Sequence, residues 1–296
     1  LELFHGPTLA FKDVGARFMA NCLGYFNKNK NKKNTVLVAT SGDTGAAVAN
    51  GFFKVKGTNV VILYPENKVS EIQERQLTTN GNNITALRVK GSFDDCQNIV
   101  KNAFLDKELN NNLNLTSANS INVARWLPQA FYYFYAVKKL KRRNMVFSVP
   151  SGNFGNICAG LIAMKLGLPI DHFIASTNIN DTIPRYFESQ VLNPKPTIQT
   201  ISNAMDVSRP SNFVRIQEMF ENFENLSKFL SSYSFDDNQT LETVKKIYND
   251  KKYILDPHGA IGYLGLKKYL DNNPKKIGVF LETAHPIKFS EHIEKT

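Results

Sequence analysis

The lysine of greatest chemical interest is Lys12, which ends the stretch Phe4–Lys12, FHGPTLAFK. Gly-Pro marks a sharp turn, and Thr8 is predicted to cap a helix running from Leu9 towards Leu23. Lys12 then lies in the first helical turn, where the dipole disfavours a positive charge and so favours the neutral, nucleophilic amine. The alternative is an ordinary surface lysine paired with Asp13, and this motif alone does not decide between them.

Two glycine-containing turns each join a predicted strand to a predicted helix. The first is Thr40–Gly45 (TSGDTG), and the second is Ser151–Asn156 (SGNFGN). Main-chain N–H groups at a helix N-terminus bind anions, and glycine lets a ligand come close. Neither turn matches a nucleotide fingerprint, and the second has no lysine, so a phosphate monoester carried by a cofactor fits it better. For the first, the alternative is a tight turn capped by Ser41 or Thr44.

Two further segments carry polar groups, one before a predicted helix and one at the end of the last predicted strand. Asn119, Ser120 and Arg125 combine amide, hydroxyl and guanidinium groups that suit a phosphate or carboxylate. The alternative there is a helix cap with a surface arginine. The last strand leads into Glu282–Pro286 (ETAHP), at the end of the strand where ligands of open α/β sheets gather. The alternative is a plain exit from strand to loop. A lone His285 is more typical of a satisfied loop histidine than of a catalyst.

The elements that must position these groups alternate between short apolar strands and amphipathic helices. This alternation predicts parallel sheets covered by helices. Predicted strands are 35–39, 60–64, 84–89, 145–149, 171–176 and 276–281, and predicted helices are 46–55, 70–80, 93–105, 126–141, 157–166, 239–249 and 260–269. The Asn-rich stretch 110–122 is expected to be a loop or a crossing between lobes, and 182–233 to be irregular with helices at 212–230. The aromatic face of helix 126–141, formed by Phe131, Tyr132, Phe134 and Tyr135, is expected to lie in the core.

Composition excludes several classes of protein. With 296 residues and 42% hydrophobic content, the chain is long enough for one large or two ordinary globular domains. There is no apolar run long enough to cross a membrane, and three scattered cysteines without a CxxC pair predict no metal site and suit a reducing cytosol or organelle. The net charge of +10 is concentrated in the runs Lys28–Lys33 and Lys138–Arg143. These runs are interpreted as solvated surface, with nucleic-acid binding or attraction of an anionic substrate as alternatives.

Taken together, seven motifs resemble those of the threonine synthases, and they occur over nearly the whole chain, from Leu3 to Phe289. In chain order they are HGPTLAFKD, TSGDTGAA, NSINVAR, PSGNFGN, NAMDVSRPSNF, DPHGA and ETAHPIKF. The resemblance implies an α/β fold of the fold-type II pyridoxal-phosphate (PLP) enzymes, similar to the tryptophan synthase β subunit, with two three-layer α/β/α lobes and an active site between them. The expected divisions are 1–34 (lysine segment and helix), 35–115 (smaller lobe) and 116–296 (larger, cofactor-binding lobe with a helical insertion near 180–235).

The resemblance also implies roles for individual residues. Lys12 would hold pyridoxal 5′-phosphate as a Schiff base and act as the general base. The other residues expected at the cofactor are Phe11, Asp43, Gly152, Asn153, Phe154, Gly155, Asn156 and Thr283. Related fold-type II enzymes carry Asn at the position of Asp43, facing the cofactor 3′-oxygen. Because a carboxylate would repel this phenolate oxygen, Asp43 is expected to share a proton with it. Thr283 is expected to contact the pyridine nitrogen. The residues expected at the substrate are Ser41 and Thr44 for its carboxylate, and Asn119, Ser120 and Arg125 for its phosphate.

The implied activity is conversion of O-phospho-L-homoserine and water to L-threonine and phosphate, a carbon–oxygen lyase reaction that completes threonine biosynthesis. We expect a cytoplasmic monomer or homodimer with a small-molecule substrate and no nucleic-acid or membrane partner. Relatives carry further residues before Leu1 and after Phe289, so the chain is expected to lack its N-terminal part and its extreme C-terminus. The alternatives are another fold-type II lyase, such as a threonine dehydratase or cysteine synthase, and a non-catalytic phosphate-ligand-binding relative.

Overall fold

A computed structural model of the protein describes residues 1–28 and 33–294 and resolves two compact units. We call His5–Pro128 the lysine unit, because it contains Lys12. We call Leu1–Phe4 together with the residues from Gln129 onward the glycine-loop unit, because it contains the turn Ser151–Asn156. The boundary between the units at Pro128 differs from the divisions at 34/35 and 115/116 that the sequence suggests.

The lysine unit is built on a four-stranded parallel sheet in the order β3-β2-β1-β4. Its strands are β1 (Asn34–Ala39), β2 (Thr58–Pro65), β3 (Ile84–Val89) and β4 (Leu115–Ser117). Its helices are α1 (Lys12–Phe26), α2 (Asp43–Phe52), α3 (Glu71–Thr78), α4 (Phe93–Leu105), α5 (Lys107–Leu113) and α6 (Val123–Trp126). Every residue of β1 is buried, as expected for a central strand rich in β-branched residues.

Alternate residues of β1 enter two different cores. Val36 and Val38 join a cluster with Met19 of α1 and Ala46 of α2. Leu37 and Ala39 point to the other face and join a second cluster, in which α4 provides Cys96 and Val100. The lysine unit therefore has helices on both faces of its sheet, the three-layer arrangement that the sequence predicts.

The glycine-loop unit repeats this architecture with a second parallel sheet in the order β7-β6-β5-β8. Its strands are β5 (Met145–Pro150), β6 (Ile170–Thr177), β7 (Leu230–Ser234) and β8 (Ile277–Phe280). Its helices are α7 (Ala130–Leu140), α8 (Gly155–Lys165), α9 (Thr182–Ser189), α10 (Phe213–Phe220), α11 (Phe223–Ser227), α12 (Asp237–Lys251), α13 (Pro257–Asn272) and α14 (Ser290–Ile293). On one face of the sheet Val146 and Ile174 pack with Leu266 of α13, and on the other Phe147 packs edge-on against Tyr133 of α7.

The Asn-rich stretch 110–122 is a loop, as predicted, only from Ala118 onward, because its first part forms the end of α5 and strand β4. Asp106 caps helix α5 by accepting a hydrogen bond from the N–H of Leu109, and strand β4 follows directly and pairs with β1. Asparagine is a weak helix former, which is why composition predicts a loop. For the residues in α5 and β4 the prediction was wrong, because a cap and a neighbouring strand outweigh local propensity.

The predicted helix 126–141 is interrupted, and its aromatic face is also different from the prediction. A 3-10 turn at Leu127–Gln129, which contains Pro128, separates α6 from α7, since proline cannot continue the hydrogen-bond ladder. The buried face of α7 carries Tyr132, which was predicted to lie in the core, and Tyr133, which was not. The remaining aromatic residues predicted for the core are exposed, namely Phe131, Phe134 and Tyr135.

Of the two basic runs, Lys138–Arg143 is exposed at and beyond the C-terminal end of α7. Residues 29–32 of the other run lie outside the described residues. Within 1–28 and 33–294, every helix is too short or too polar to cross a bilayer.

Candidate active site

Lys12 is the first residue of α1, but Thr8 does not cap this helix as predicted. Leu9 adopts a left-handed backbone conformation (φ 58°), and the helix begins three residues later, with Phe11 at the N-cap. Thr8 instead donates from its main-chain N–H and its hydroxyl to the two carboxylate oxygens of Asp13, at 2.9 and 2.6 Å. Asp13 is buried, and its carboxylate accepts both of these hydrogen bonds from Thr8. The first turn of α1 is fixed by this carboxylate, with Lys12 half-buried beside it.

The main chain of Lys12 is held from α6. Nη1 of Arg125 donates to the carbonyl oxygen of Lys12 at 3.2 Å, and Nε of Arg125 donates to the carbonyl oxygen of Ala118 at 2.8 Å. Arg125 is buried, so it is not the surface arginine of the alternative interpretation. Burial lowers the pKa of Arg125 to about 10, and the nearby charge of Asp13 opposes that shift. The guanidinium is therefore still charged at neutral pH.

The turn after β1 is capped by Thr40 and by neither Ser41 nor Thr44. The hydroxyl oxygen of Thr40 accepts hydrogen bonds from the N–H groups of Gly42 and Gly45, at 2.9 and 2.8 Å. Gly42 has φ 131°, and a Cβ there would lie 2.4 Å from the side chain of Gln73, so the turn requires glycine. Ser41 and Thr44 are half-buried and have no side-chain capping bond in α2, which is consistent with their predicted role at the substrate.

Asp43 is the first residue of α2 and is buried. Nε2 of Gln73 donates to Oδ1 of Asp43 at 3.0 Å. Gln73 thus joins the surroundings of a predicted cofactor residue, although the sequence shows it only as part of the capping box with Ser70 that opens α3.

Asn119 is brought to the same sheet edge as the Thr40–Gly45 turn, because β1 and β4 are parallel neighbours. Its side-chain amide pairs in both directions with the main chain of Ala39: Nδ2 donates to the carbonyl oxygen at 2.6 Å, and Oδ1 accepts from the N–H at 3.1 Å. Asn122 caps α6, as the alternative interpretation of this segment expects. The lysine unit therefore gathers all eight predicted residues of its range, in segments that Arg125 and Asn119 tie together: Phe11, Lys12, Ser41, Asp43, Thr44, Asn119, Ser120 and Arg125.

In the glycine-loop unit, β5 and β8 are parallel neighbours, so Ser151–Asn156 and Thr283 leave the same edge of the sheet. Phe154 adopts a left-handed conformation (φ 61°) at the N-cap of α8, and Gly155 and Asn156 form the first turn of that helix. Thr283 is buried. His285 accepts a hydrogen bond from the N–H of Ile287 and caps a short 3-10 turn, which supports its interpretation as a loop histidine.

The side chain of Asn156 is held in one orientation by two buried tyrosines. The hydroxyls of Tyr132 and Tyr133 both donate to its Oδ1, at 2.5 and 2.7 Å. Burial, followed by the nearby Tyr133, raises the pKa of Tyr132 well above its usual value. Burial, followed by the nearby Cys158, does the same for the pKa of Tyr133, so both hydroxyls can donate at any ordinary pH. Within the described residues, the buried Nδ2 of Asn156 has no acceptor. An unsatisfied buried donor at a helix N-terminus, beside a glycine that permits close approach, fits an acceptor-rich anion such as the phosphate of PLP.

Comparison with known proteins identifies the family of the chain. Residues 1–281 match the family model described as "Pyridoxal-phosphate dependent enzyme". A threonine synthase of Haemophilus influenzae is 53% identical over 100% of this chain and 69% of its own length. The crystal structure of threonine synthase from Escherichia coli superposes with a TM-score of 0.93 at 49% identity, covering 100% of this chain and 68% of that one. A PLP-bound threonine synthase from Brucella melitensis gives a TM-score of 0.93 at 37% identity, covering 100% and 69% of the two chains.

The chain belongs to the threonine synthase family. Membership establishes the PLP-dependent α/β fold and the cofactor that the motifs imply. The chain spans about two thirds of the length of these threonine synthases.

Several residues around the site were not predicted from the sequence. Asp13, Gln73 and the two tyrosines act by hydrogen-bonding predicted site residues or their segments. The sequence shows them as a helix-start carboxylate, a capping-box amide and an aromatic stripe, respectively. None of these signals indicates a distant partner, although Gln73 is 30 positions from Asp43 and Tyr132 is 24 positions from Asn156.

Proposed function

We propose that the protein converts O-phospho-L-homoserine and water to L-threonine and phosphate, with Lys12 as the residue that holds the cofactor and transfers protons. The observation that carries the proposal is the position of Lys12: it opens α1, its main chain is bound by buried Arg125, and its motif lies in a chain that matches threonine synthases over nearly its full length. A cytoplasmic location is consistent with three free cysteines, which suit a reducing compartment.

The cofactor, when bound, supplies an electron sink for negative charge that develops on substrate carbon. Asn156 and the main-chain N–H groups at the start of α8 would hold its phosphate, and Thr283 would meet its pyridine nitrogen as a neutral hydroxyl. Asp43 would face the cofactor 3′-oxygen and share a proton with it. Lys12 would take a proton from Cα of the substrate and then one from Cβ, return one to Cγ after phosphate leaves, and return the other to Cα after water adds at Cβ. The proton that water loses on addition would leave with the phosphate.

The substrate has two anionic ends, and the lysine unit supplies donors suited to both. Ser41 and Thr44 would bind the carboxylate at the turn that opens α2. Ser120 and Arg125 would bind the phosphate that leaves from Cγ, since a guanidinium retains donors beyond the two it gives to carbonyl oxygens. The paired amide of Asn119 supports a role in holding this segment against Ala39, in addition to any contact with phosphate.

The test measures phosphate and threonine released from O-phospho-L-homoserine in the presence of PLP. Lys12→Ala is expected to abolish turnover and the absorbance of lysine-bound cofactor, because alanine has no amine to hold the cofactor or to transfer protons. Lys138→Ala, which removes an exposed lysine, is the matched control and should behave as wild type. Unchanged turnover in Lys12→Ala would exclude the proposed role of Lys12. Activity on threonine or O-acetylserine but not on phosphohomoserine would favour another fold-type II lyase.

A further inference from the structure

The segment Thr200–Asn212, which we call the buttress segment, packs directly against the glycine loop. It contains the motif NAMDVSRPSNF up to Asn212. A Cβ placed on Gly152 would lie 2.8 Å from the carbonyl oxygen of Ala204 and 3.0 Å from Cα of Met205. Position 152 is therefore glycine because the backbone of another segment occupies the space of a side chain.

The next loop residue, Asn153, is bound by the far end of the buttress segment. Its Oδ1 accepts hydrogen bonds from the N–H and the hydroxyl of Ser211, at 3.4 and 3.2 Å. Its carbonyl oxygen accepts from the N–H and from Nδ2 of Asn212, at 3.2 and 2.9 Å. The conformation of the loop thus depends on where the buttress segment lies.

Asp206 is the centre of the hydrogen bonds that fix the buttress segment. Its Oδ2 accepts from the N–H of Thr200 at 3.0 Å. Its Oδ1 accepts from the hydroxyl of Thr200 at 2.7 Å, from Nδ2 of Asn178 at 2.9 Å and from Nδ2 of Asn180 at 3.3 Å. Four donors converge on one carboxylate, the arrangement that favours its charged form.

These contacts tie the buttress segment to the end of a central strand. Asn178 and Asn180 follow β6, and the amide of Asn180 pairs in both directions with the main chain of Ile198, at 2.8 and 2.9 Å. Strand β6 is the neighbour of β5, which leads into the glycine loop, and the N–H of Ser151 donates to the carbonyl oxygen of Ser176. Asp206 therefore links the C-terminal end of β6 to the buttress segment, which packs against the glycine loop.

We propose that Asp206 is a positioning residue for the cofactor-phosphate loop, which holds the buttress segment against Gly152 and Asn153 and so sets the affinity for PLP. The inference rests on the proposed role of Gly152–Asn156 at the cofactor phosphate. Asp206 itself would contact neither cofactor nor substrate. It acts through Thr200 and the two asparagines.

The charge state of Asp206 offers a readout that a purely structural residue would not give. Burial raises its pKa to about 7, against the opposing effect of the hydrogen bonds from Thr200 and Asn178 and of the nearby His258. His258 is itself bonded to Asp256, and nearby Asp237 accepts a hydrogen bond from the N–H of Ile201. When Asp206 gains a proton, one of its oxygens becomes a donor, and the set of four incoming hydrogen bonds is no longer complete.

The experiment titrates cofactor-free protein with PLP at pH 6 and pH 8 and records the cofactor absorbance, with far-UV circular dichroism to check the fold. In Asp206→Asn, the group that replaces Oδ2 becomes a donor facing the N–H of Thr200, and the Kd for PLP is expected to rise about tenfold at pH 8. The rise should be smaller at pH 6, where the wild-type carboxyl is itself protonated. Thr200→Val, which removes one hydroxyl, should give a smaller effect in the same direction.

Two further variants separate the possible failures. Asp171→Asn removes an ion-paired acid at the opposite end of β6 and should leave the Kd unchanged. Asn153→Asp keeps the acceptor for Ser211 and adds a negative charge to the loop, so it should weaken PLP binding if the loop binds phosphate. Equal Kd values for Asp206→Asn and Asp171→Asn at pH 8, with binding weakened in Asn153→Asp, would overturn the role of Asp206. Unchanged binding in Asn153→Asp would instead overturn the proposed role of the loop.

Discussion

Nη1 of Arg125 donates a hydrogen bond to the main-chain carbonyl oxygen of Lys12 across 3.2 Å, and these residues are 113 positions apart in the sequence. The contact places a buried, charged guanidinium against the backbone of the lysine that is predicted to hold the cofactor. It gives Arg125 a role that the sequence does not suggest, in addition to its predicted contact with substrate phosphate.

Arg125→Lys should therefore affect the enzyme before substrate binds. An ammonium cannot reproduce the fork that binds the carbonyl oxygens of Lys12 and Ala118, so we expect unfolding free energy to fall by about 1–3 kcal/mol and the absorbance of lysine-bound cofactor to change. Arg17→Lys, at an exposed position of α1, is the matched control. A variant that raises only the KM for phosphohomoserine, with stability and absorbance unchanged, would show that Arg125 acts at the substrate phosphate alone.

Gly15→Ala tests how closely α1 packs against α6. A Cβ on Gly15 would lie 1.8 Å from the carbonyl oxygen of Arg125, and main chain cannot move away as a flexible side chain can. We expect a loss of at least about 2 kcal/mol in urea unfolding. Gly24→Ala on the same helix would meet only Val55 at 3.3 Å and should be neutral or stabilising, because alanine favours helices. Similar stabilities for the two variants would contradict the close packing.

The two tyrosines that orient Asn156 predict a graded effect on cofactor affinity. Tyr132→Phe and Tyr133→Phe each leave one hydroxyl on Oδ1, so each should raise the Kd for PLP modestly. The double variant frees the amide to rotate, and its effect should exceed the sum of the two single effects, which a double-mutant cycle measures in free energy. Phe131→Leu, an exposed change on the same helix, provides the control. Strict additivity would indicate that Asn156 is held by other contacts.

Glu282, next to Thr283, predicts a pH dependence of stability. Burial, followed by the nearby charge of Asp256, raises the pKa of Glu282 well above its ordinary value of 4.5. The folded protein therefore binds this proton more tightly than the unfolded chain, so the contribution of Glu282 to stability is present below about pH 4.5 and is lost progressively as pH rises towards the raised pKa.

Glu282→Gln fixes the neutral form and removes this dependence. Its unfolding free energy relative to wild type should increase between pH 5 and pH 8 in urea titrations, because the wild type loses the contribution of the protonated carboxyl over this range. Glu291→Gln changes an exposed carboxyl and should follow wild type at both pH values. Parallel pH profiles for Glu282→Gln and wild type would show that the carboxyl is ionised in the folded protein across this range.

The sequence predicted an element correctly where the signals for it lie in the residues of that element. Helix α4 has the predicted bounds Phe93–Leu105, because Ser92 and Asp95 form a capping box and Asp106 ends the helix. Strand β3 likewise has the predicted bounds Ile84–Val89. The predictions failed where distant contacts outweigh local preference, as in the first part of the stretch 110–122, where Asn-rich sequence forms the end of α5 and strand β4.

By itself, the sequence determined the α/β class, the family and the order of the glycine turns, because strand and helix periodicity and short motifs are properties of consecutive residues. Only the tertiary structure decided which residues support the site. Arg125 reaches Lys12, Gln73 reaches Asp43, and Ala204 leaves no space for a side chain at Gly152 because folding brings together segments 30 to 113 positions apart. Such partners are selected by distance and burial in the fold, and no periodicity in the chain encodes them.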